Sequence, residues 1–281
     1  MVNHIPALLG ETLRGLNFKK NSLVIDATAD GGGHARAILD NLGPAGRLIG
    51  TDWDLGMIER LQEELKGEKR LKLFHLNFSE IEKVAGSRRP DAILFDLGLS
   101  SLQLSASGRG FSFRASEPLE MTFNAETHPN VRELLRKISE RELEEIIRTY
   151  GEEPFAKRIS RAIVAARRQK EIGTAKELAE IIAKVRPRLG RIHPATKTFQ
   201  ALRIYVNQEL ENLKRGLEGA WKIIKPGGRI AVISYHSLED RIVKNFSREK
   251  GQVAKPIRPS RTEILKNPRA RSAKLRIIEK K

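Results

Sequence analysis

The chain has 281 residues, 40% of them hydrophobic and 31% charged, with no cysteine and a formal net charge of +17. That length buries a sizeable core as one large domain or two moderate ones, and the lack of cysteine excludes a disulfide framework and any thiolate metal site. No apolar run approaches the roughly 20 residues of a bilayer span, and Met1-Val2-Asn3-His4 lacks the basic-then-apolar layout of a secretory signal, so a cytoplasmic protein without membrane association is expected.

The positive charge is segregated. Residues 1–155 carry 20 Lys/Arg against 24 Asp/Glu, whereas residues 156–200 carry 12 against 3 and residues 251–281 carry 10 against 2. Charge needed only for solubility would be spread more evenly. Concentrated cationic surface favours the approach of a polyanion and the release of its counterions, which points to nucleic acid. Aromatic residues are 5% of the chain, too few for an extended base-stacking platform.

In chain order, Ser22-Leu23-Val24-Ile25-Asp26-Ala27 reads as a first strand that stops at the glycine loop Asp30-Gly31-Gly32-Gly33, and a helix begins at His34. Gly46–Asp52 is a second strand, followed by a helix over Leu55–Leu65. Leu71–Leu76 is a third strand. Asp91–Asp96 is a fourth, apolar enough to be buried on both faces. Strands alternating with helices imply right-handed crossovers and a parallel sheet. From Leu102 to about Asn124 the chain reads as a polar loop, and from Asn130 to about Lys184 as nearly all helix, with Ser139 and Glu142 at capping-box spacing. One further helix over Thr198–Ile224 is expected to stop at Lys225-Pro226-Gly227-Gly228, and Arg229–Tyr235 reads as a fifth strand. The tail after Gly251, rich in proline and charge, is expected to follow the surface without a core of its own. The fold class is therefore α/β: a Rossmann-like sheet carrying an inserted helical domain, with residues 1–102 and 209–281 in the sheet domain and residues 103–208 in the insertion.

Ligands of doubly wound sheets bind at the carboxyl ends of the strands, near the point where strand order reverses. Three features gather there: the loop Asp26–His34, Asp52 at the end of strand two, and Asp96 at the end of strand four. The loop lacks G-x-G-x-x-G, so a dinucleotide pyrophosphate is poorly served. A nucleoside without phosphates, such as S-adenosylmethionine, needs only a backbone cradle and a carboxylate for its ribose hydroxyls.

These and further residues resemble the bacterial family of 16S ribosomal RNA cytosine-N4 methyltransferases over nearly the full chain. The resemblance is carried by His4-Ile5-Pro6, Gly31-Gly32-Gly33-His34, Asp96-Leu97-Gly98-Leu99-Ser100-Ser101 with Gln103, and Arg109-Gly110-Phe111-Ser112-Phe113. It continues through Tyr150-Gly151-Glu152-Glu153, His193–Arg203, Ser234–Arg241 and Asn267–Ser272. The resemblance implies a class I methyltransferase fold, S-adenosylmethionine as cofactor, and the small ribosomal subunit with its 16S RNA as partner. It implies methyl transfer to the N4 of a cytidine in the decoding region. Its pattern assigns Gly32, Gly33, His34, Asp52, Phe78, Asp96 and Gln103 to the cofactor, and the insertion to RNA recognition. The sequence departs from the family at Asp30, where a small residue is usual, at Leu102, and over Pro118–Asn124, where two acids and an arginine are replaced by Glu120, Asn124 and Thr122.

The N4 amine is a poor nucleophile because its lone pair is delocalised into the ring, so the base must be extracted, aimed, and relieved of a proton. Asp96 and Ser100, in the turn after strand four, are the candidate catalytic residues. No metal is expected, since the six histidines show no ligand spacing. His193 and His236 are either site or packing residues, Phe111 and Phe113 either base-stacking or core, and Arg203 with Asn207 either line an RNA site or pair locally. Two other function classes stand beside the methyltransferase: a cofactor-binding assembly factor with weak catalysis, and a nucleotide-dependent dehydrogenase. Monomer and homodimer are both open.

Overall fold

The structure, a computed structural model, describes residues 6–113, 116–127, 129–188, 190 and 193–281. His4 and Ile5 of the resemblance lie outside the described residues. The chain divides into two compact units, one running to Ser100 and resuming over Leu210–Lys281, the other Ser101–Glu209.

The first unit is built on a six-stranded sheet. It contains α1 (Leu9–Leu16), β1 (Leu23–Asp26), α2 (Gly33–Asn41), β2 (Arg47–Asp52), α3 (Leu55–Glu64), β3 (Leu71–His75), a 3-10 turn over Phe78–Val84, and β4 (Ala92–Asp96). The second unit supplies α4 (Ser101–Ala106), α5 (Val131–Lys137), α6 (Glu140–Gly151), α7 (Ala156–Gln169), α8 (Ala175–Val185) and α9 (Thr196–Val206). α10 (Glu209–Ile223) carries the chain back into the sheet unit from Leu210 on, followed by β5 (Arg229–Ser234), α11 (Ser237–Glu249), α12 (Arg261–Lys266) and β6 (Lys274–Glu279).

Strand order is β3-β2-β1-β4-β5-β6. The first five strands pair in parallel, and β6 runs antiparallel to β5. The apolar run of β4 follows from its position: Ala92, Ile93, Leu94 and Phe95 are all fully buried. Ala92 and Leu94 join Val24, Ile38 and Leu48 in one core, while Ile93 and Phe95 join Ile25, Leu213 and Leu217 in another, one on each face of the sheet. The order reverses between β1 and β4, which fixes the place where a ligand fits.

The structure corrects three sequence expectations. The stretch after Leu102 is not all loop, because α4 occupies Ser101–Ala106. The single helix expected over Thr198–Ile224 is two, separated at Asn207 and Gln208, the latter at φ 50. The cause is side-chain chemistry: buried Asn207 donates to Met121 O at 2.7 Å and accepts from Phe123 N at 2.9 Å, drawing the backbone out of helical register. The tail has no core of its own but does not merely follow the surface, because β6 joins the two cores of the sheet. Leu275 and Ile278 on β6 are fully buried, and the charge of Arg276 is absorbed by Asp240 at 2.8 Å. Burial works upward on the Asp240 carboxyl, but Arg276 and Lys274 hold it below its ordinary value.

The helical unit carries its own core, with Leu143, Ile147, Ile159, Ile163, Leu178 and Ile182 buried at helical spacing. Its starts are set by sequence: Asn130, Ser139 and Thr174 each form a capping box with the Glu three residues on.

Candidate functional site

The loop after β1 is stitched to both neighbouring strands. Ala27 N donates to Leu94 O at 2.9 Å, Ala29 N donates to Thr51 O at 2.8 Å, and Thr51 Oγ1 donates to Ala27 O at 3.0 Å. Gly32 turns the chain at φ 76 into α2, and a Cβ there would meet Leu61 Cδ1 at 2.3 Å, so glycine is required twice over. Gly33 opens α2, whose first amides have no partner within the helix.

Carboxylates converge on this loop. Asp52, at the end of β2, accepts from Asp30 N and from Asp54 N, both at 2.8 Å. Asp26, at the end of β1, is fully buried; one oxygen accepts from Thr28 N, and the other has no hydrogen-bond partner among the described residues. Burial raises the Asp26 carboxyl to about 6, against the lowering influence of His34. Burial likewise raises Asp52 to about 6, and burial with the charge of Asp52 raises Asp30 to about 8.

Asp96 is gripped from two sides. The Tyr235 hydroxyl donates to Oδ1 at 2.9 Å, and His34 Nε2 lies 3.3 Å from Oδ2. Its backbone N–H donates to Thr28 Oγ1 at 2.7 Å, which ties the end of β4 to the loop. Burial disfavours the charged His34 imidazole, but the hydrogen bond and charge of Asp96 and the charge of Asp26 outweigh it and raise its pKa overall. Burial, then Asp96, keeps Tyr235 protonated far above ordinary pH, so its hydroxyl is a permanent donor.

The structure thus brings together Gly32, Gly33, His34, Asp52 and Asp96. Ser100 is buried and hydrogen-bonded to Asp30. Phe78 is half-buried, edge-on to Phe95 at 5.7 Å. Gln103 belongs to the helical unit, buried on α4. Sequence reasoning did not select Asp26 or Tyr235 as site residues, although both stand at carboxyl ends of strands. Several open alternatives resolve towards packing. Phe111 stacks on Phe123, and Phe113 stacks on the His193 ring at 4.3 Å and meets Phe199 edge-on. His236 caps α11 together with Glu239, and Arg203 pairs locally with Glu209 at 2.8 Å.

The sequence pattern of the MraW methylase family matches residues 1–281. The chain belongs to that family. Its relatives in the family include Ribosomal RNA small subunit methyltransferase H of Persephonella marina, 45% identical over 294 residues that cover 100% of both chains. The protein of the same name from Nitrosococcus oceani is 41% identical over 305 residues, covering 99% of this chain and 97% of its own. Among solved structures, a candidate methyltransferase from Streptococcus mutans in complex with SAH superposes with a TM-score of 0.50 at 15% identity, covering 99% of both chains. That likeness bears on the fold, the α/β methyltransferase sheet expected from the sequence. No helix of the described residues is long and apolar enough to cross a membrane.

Proposed function

We propose that this methylase transfers the methyl group of S-adenosylmethionine to the N4 amine of a cytidine in the decoding region of 16S ribosomal RNA. The observation that carries the reading is Asp96 at the switch point of the sheet, held by Tyr235 and His34 in a chain whose 41–45% identical relatives are named as small-subunit ribosomal RNA methyltransferases.

The residues fit the cofactor. A fully buried carboxylate oxygen without a partner, on Asp26, suits an ammonium group. Asp52 accepts from the amides of Asp30, Trp53 and Asp54 and still has a lone pair left, which suits a ribose hydroxyl. The same acids oppose a pyrophosphate, which speaks against a dehydrogenase. When bound, S-adenosylmethionine supplies an electrophilic methyl on a sulfonium.

The rest of the chemistry belongs to the chain. Asp96 accepts a hydrogen bond from the N4 amino group, draws electron density towards the nitrogen, and takes the proton as the new bond forms. Tyr235 and His34 hold the carboxylate in one orientation, so little reorganisation is needed at the moment of reaction. Ser100 braces the loop through Asp30, and Gly32, Gly33 and Phe78 complete the cofactor pocket. The helical unit recognises RNA. Support comes from its charge, 12 basic against 3 acidic residues over 156–200, and from a cleft of about 320 Å³ lined by Arg132, Arg136, Arg167 and Arg168 around Glu171.

The test is binding and turnover side by side, with labelled S-adenosylmethionine and small subunits that lack the modification. Asp52→Ala should weaken cofactor binding about tenfold or more. Asp96→Ala should cost on the order of a hundredfold in turnover. If both variants keep wild-type binding and turnover, the assignment of the site is wrong.

A further inference from the structure

Four carboxylates surround one loop: Asp26 ending β1, Asp30 within the turn, Asp52 ending β2 and Asp96 ending β4. The other three all act electrostatically on Asp30. Its amide donates to Asp52 Oδ2 at 2.8 Å and its carboxyl is hydrogen-bonded to Ser100, so this acid is held among acids. Its φ of 40 is one that glycine adopts at no cost and aspartate does not. Facing the four acids are the His34 imidazole, beside Asp96 and acting on Asp26, and the Tyr235 hydroxyl on Asp96. The free, fully buried oxygen of Asp26 independently marks the place as built for a donor or cationic group.

We propose that Asp30 makes this site select charge, favouring the cationic sulfonium donor over the neutral thioether product. The proposal rests on the S-adenosylmethionine reading. Donor and product differ by a methyl group and the positive charge on sulfur. In a partly desolvated site, each ionised carboxylate attracts the first and is indifferent to that difference in the second. Asp26 and Asp52 are raised to about 6 and Asp30 to about 8, so near neutral pH Asp30 is the acid that still holds its proton. Arrival of the sulfonium favours the ionised form, and the Asp30 proton passes to solvent. Once the methyl has left, the neutral product no longer supports that charge, and a proton returns from solvent. Donor capture and product release are thereby driven by one side chain.

The experiment is calorimetric titration of the cofactor-free protein with S-adenosylmethionine and with S-adenosylhomocysteine, near pH 7 and near pH 8.5, for the wild-type chain, Asp30→Asn and Asp30→Gly. Both replacements tolerate the backbone conformation. The ratio of product Kd to donor Kd should fall about threefold or more in each variant at the higher pH. Near pH 7 the wild-type chain should release a proton to buffer on binding donor and not on binding product. That proton is read from the dependence of the heat on buffer ionisation, on the wild-type chain alone, so it stands even if a variant fails to fold. Equal ratios in all three proteins, or no proton release by the wild type, with both ligands bound, overturn charge selection and leave the cofactor reading intact. Failure of the wild type to bind either ligand overturns both.

Discussion

Tyr235 is the residue whose role the structure changes most. Its hydroxyl reaches Asp96 at 2.9 Å, and its ring lies 3.4 Å from where a Cβ on Gly98 would be, so the ring packs while the hydroxyl positions. Tyr235→Phe keeps the ring and removes the hydrogen bond to the Asp96 carboxyl, a difference of about 1 kcal/mol in stability. The expected result is a fall in kcat of about tenfold or more with cofactor affinity nearly unchanged and the melting temperature lowered by only a few degrees. Loss of affinity and stability together would make Tyr235 a packing residue. The raised acids give a second residue-scale expectation. Asp26, Asp52 and Asp30 have folded pKa values of about 6, 6 and 8, above their ordinary 3.8. The folded state therefore binds more protons than the unfolded state between those limits, and stability falls as pH rises through them. Melting of the cofactor-free protein should drop between about pH 4 and pH 8, and Asp30→Asn should flatten the drop above about pH 6; a flat or rising wild-type curve contradicts this. Asp52 and Asp96 were legible from spacing because each ends an apolar run. Tyr235 was not, because nothing in a one-dimensional reading brings the end of β5 against the end of β4.

Elements show the same divide between local and distant causes. The capping boxes that start α5, α6 and α8 are written within four residues and read directly from sequence. The break between α9 and α10 is not, because its cause is Asn207 bonding to Met121 and Phe123. β6 was hidden for a related reason: Lys274, Arg276 and Glu279 look like a solvated tail until Asp240 and Arg229 are seen opposite them. The divergent Pro118–Asn124 stretch proves to be a structural tie. Leu119 N donates to Gly173 O at 3.1 Å, Met121 N to Arg109 O at 2.8 Å, and Glu120 O accepts from Val131 N at 3.0 Å. At this scale the test is Arg186, just past α8, whose Nε lies 2.9 Å from Oε2 of Glu153, with both side chains buried. Arg186→Met leaves the Glu153 carboxylate buried and uncompensated, which should cost about 3–5 kcal/mol in denaturant unfolding, whereas Arg186→Met with Glu153→Leu should recover much of it. Equal stability of the single variant and the wild type would show that the pair carries no such strain when broken.

Across the whole chain, charge and chemistry are divided along the sequence. Residues 1–155, which include three of the site's strand ends, are slightly acidic, and the basic excess lies in residues 156–200 and 251–281. An acidic pocket suits a cationic methyl donor, while basic blocks suit a polyanionic acceptor, and one chain keeps the two kinds of surface in separate stretches. The fold class was legible because buried parallel strands and amphipathic helices leave strong periodic signals. The identity of the methylated atom leaves no such signal, since a carboxylate acceptor at a strand end serves more than one nucleophile. The decisive measurement is therefore nucleoside analysis of 16S RNA from small subunits lacking native cytidine methylation, after incubation with this protein and labelled S-adenosylmethionine. Label is expected in N4-methylcytidine from the decoding region, and is lost with Asp96→Ala. Label in any other nucleoside, or none while the cofactor is bound, would contradict it.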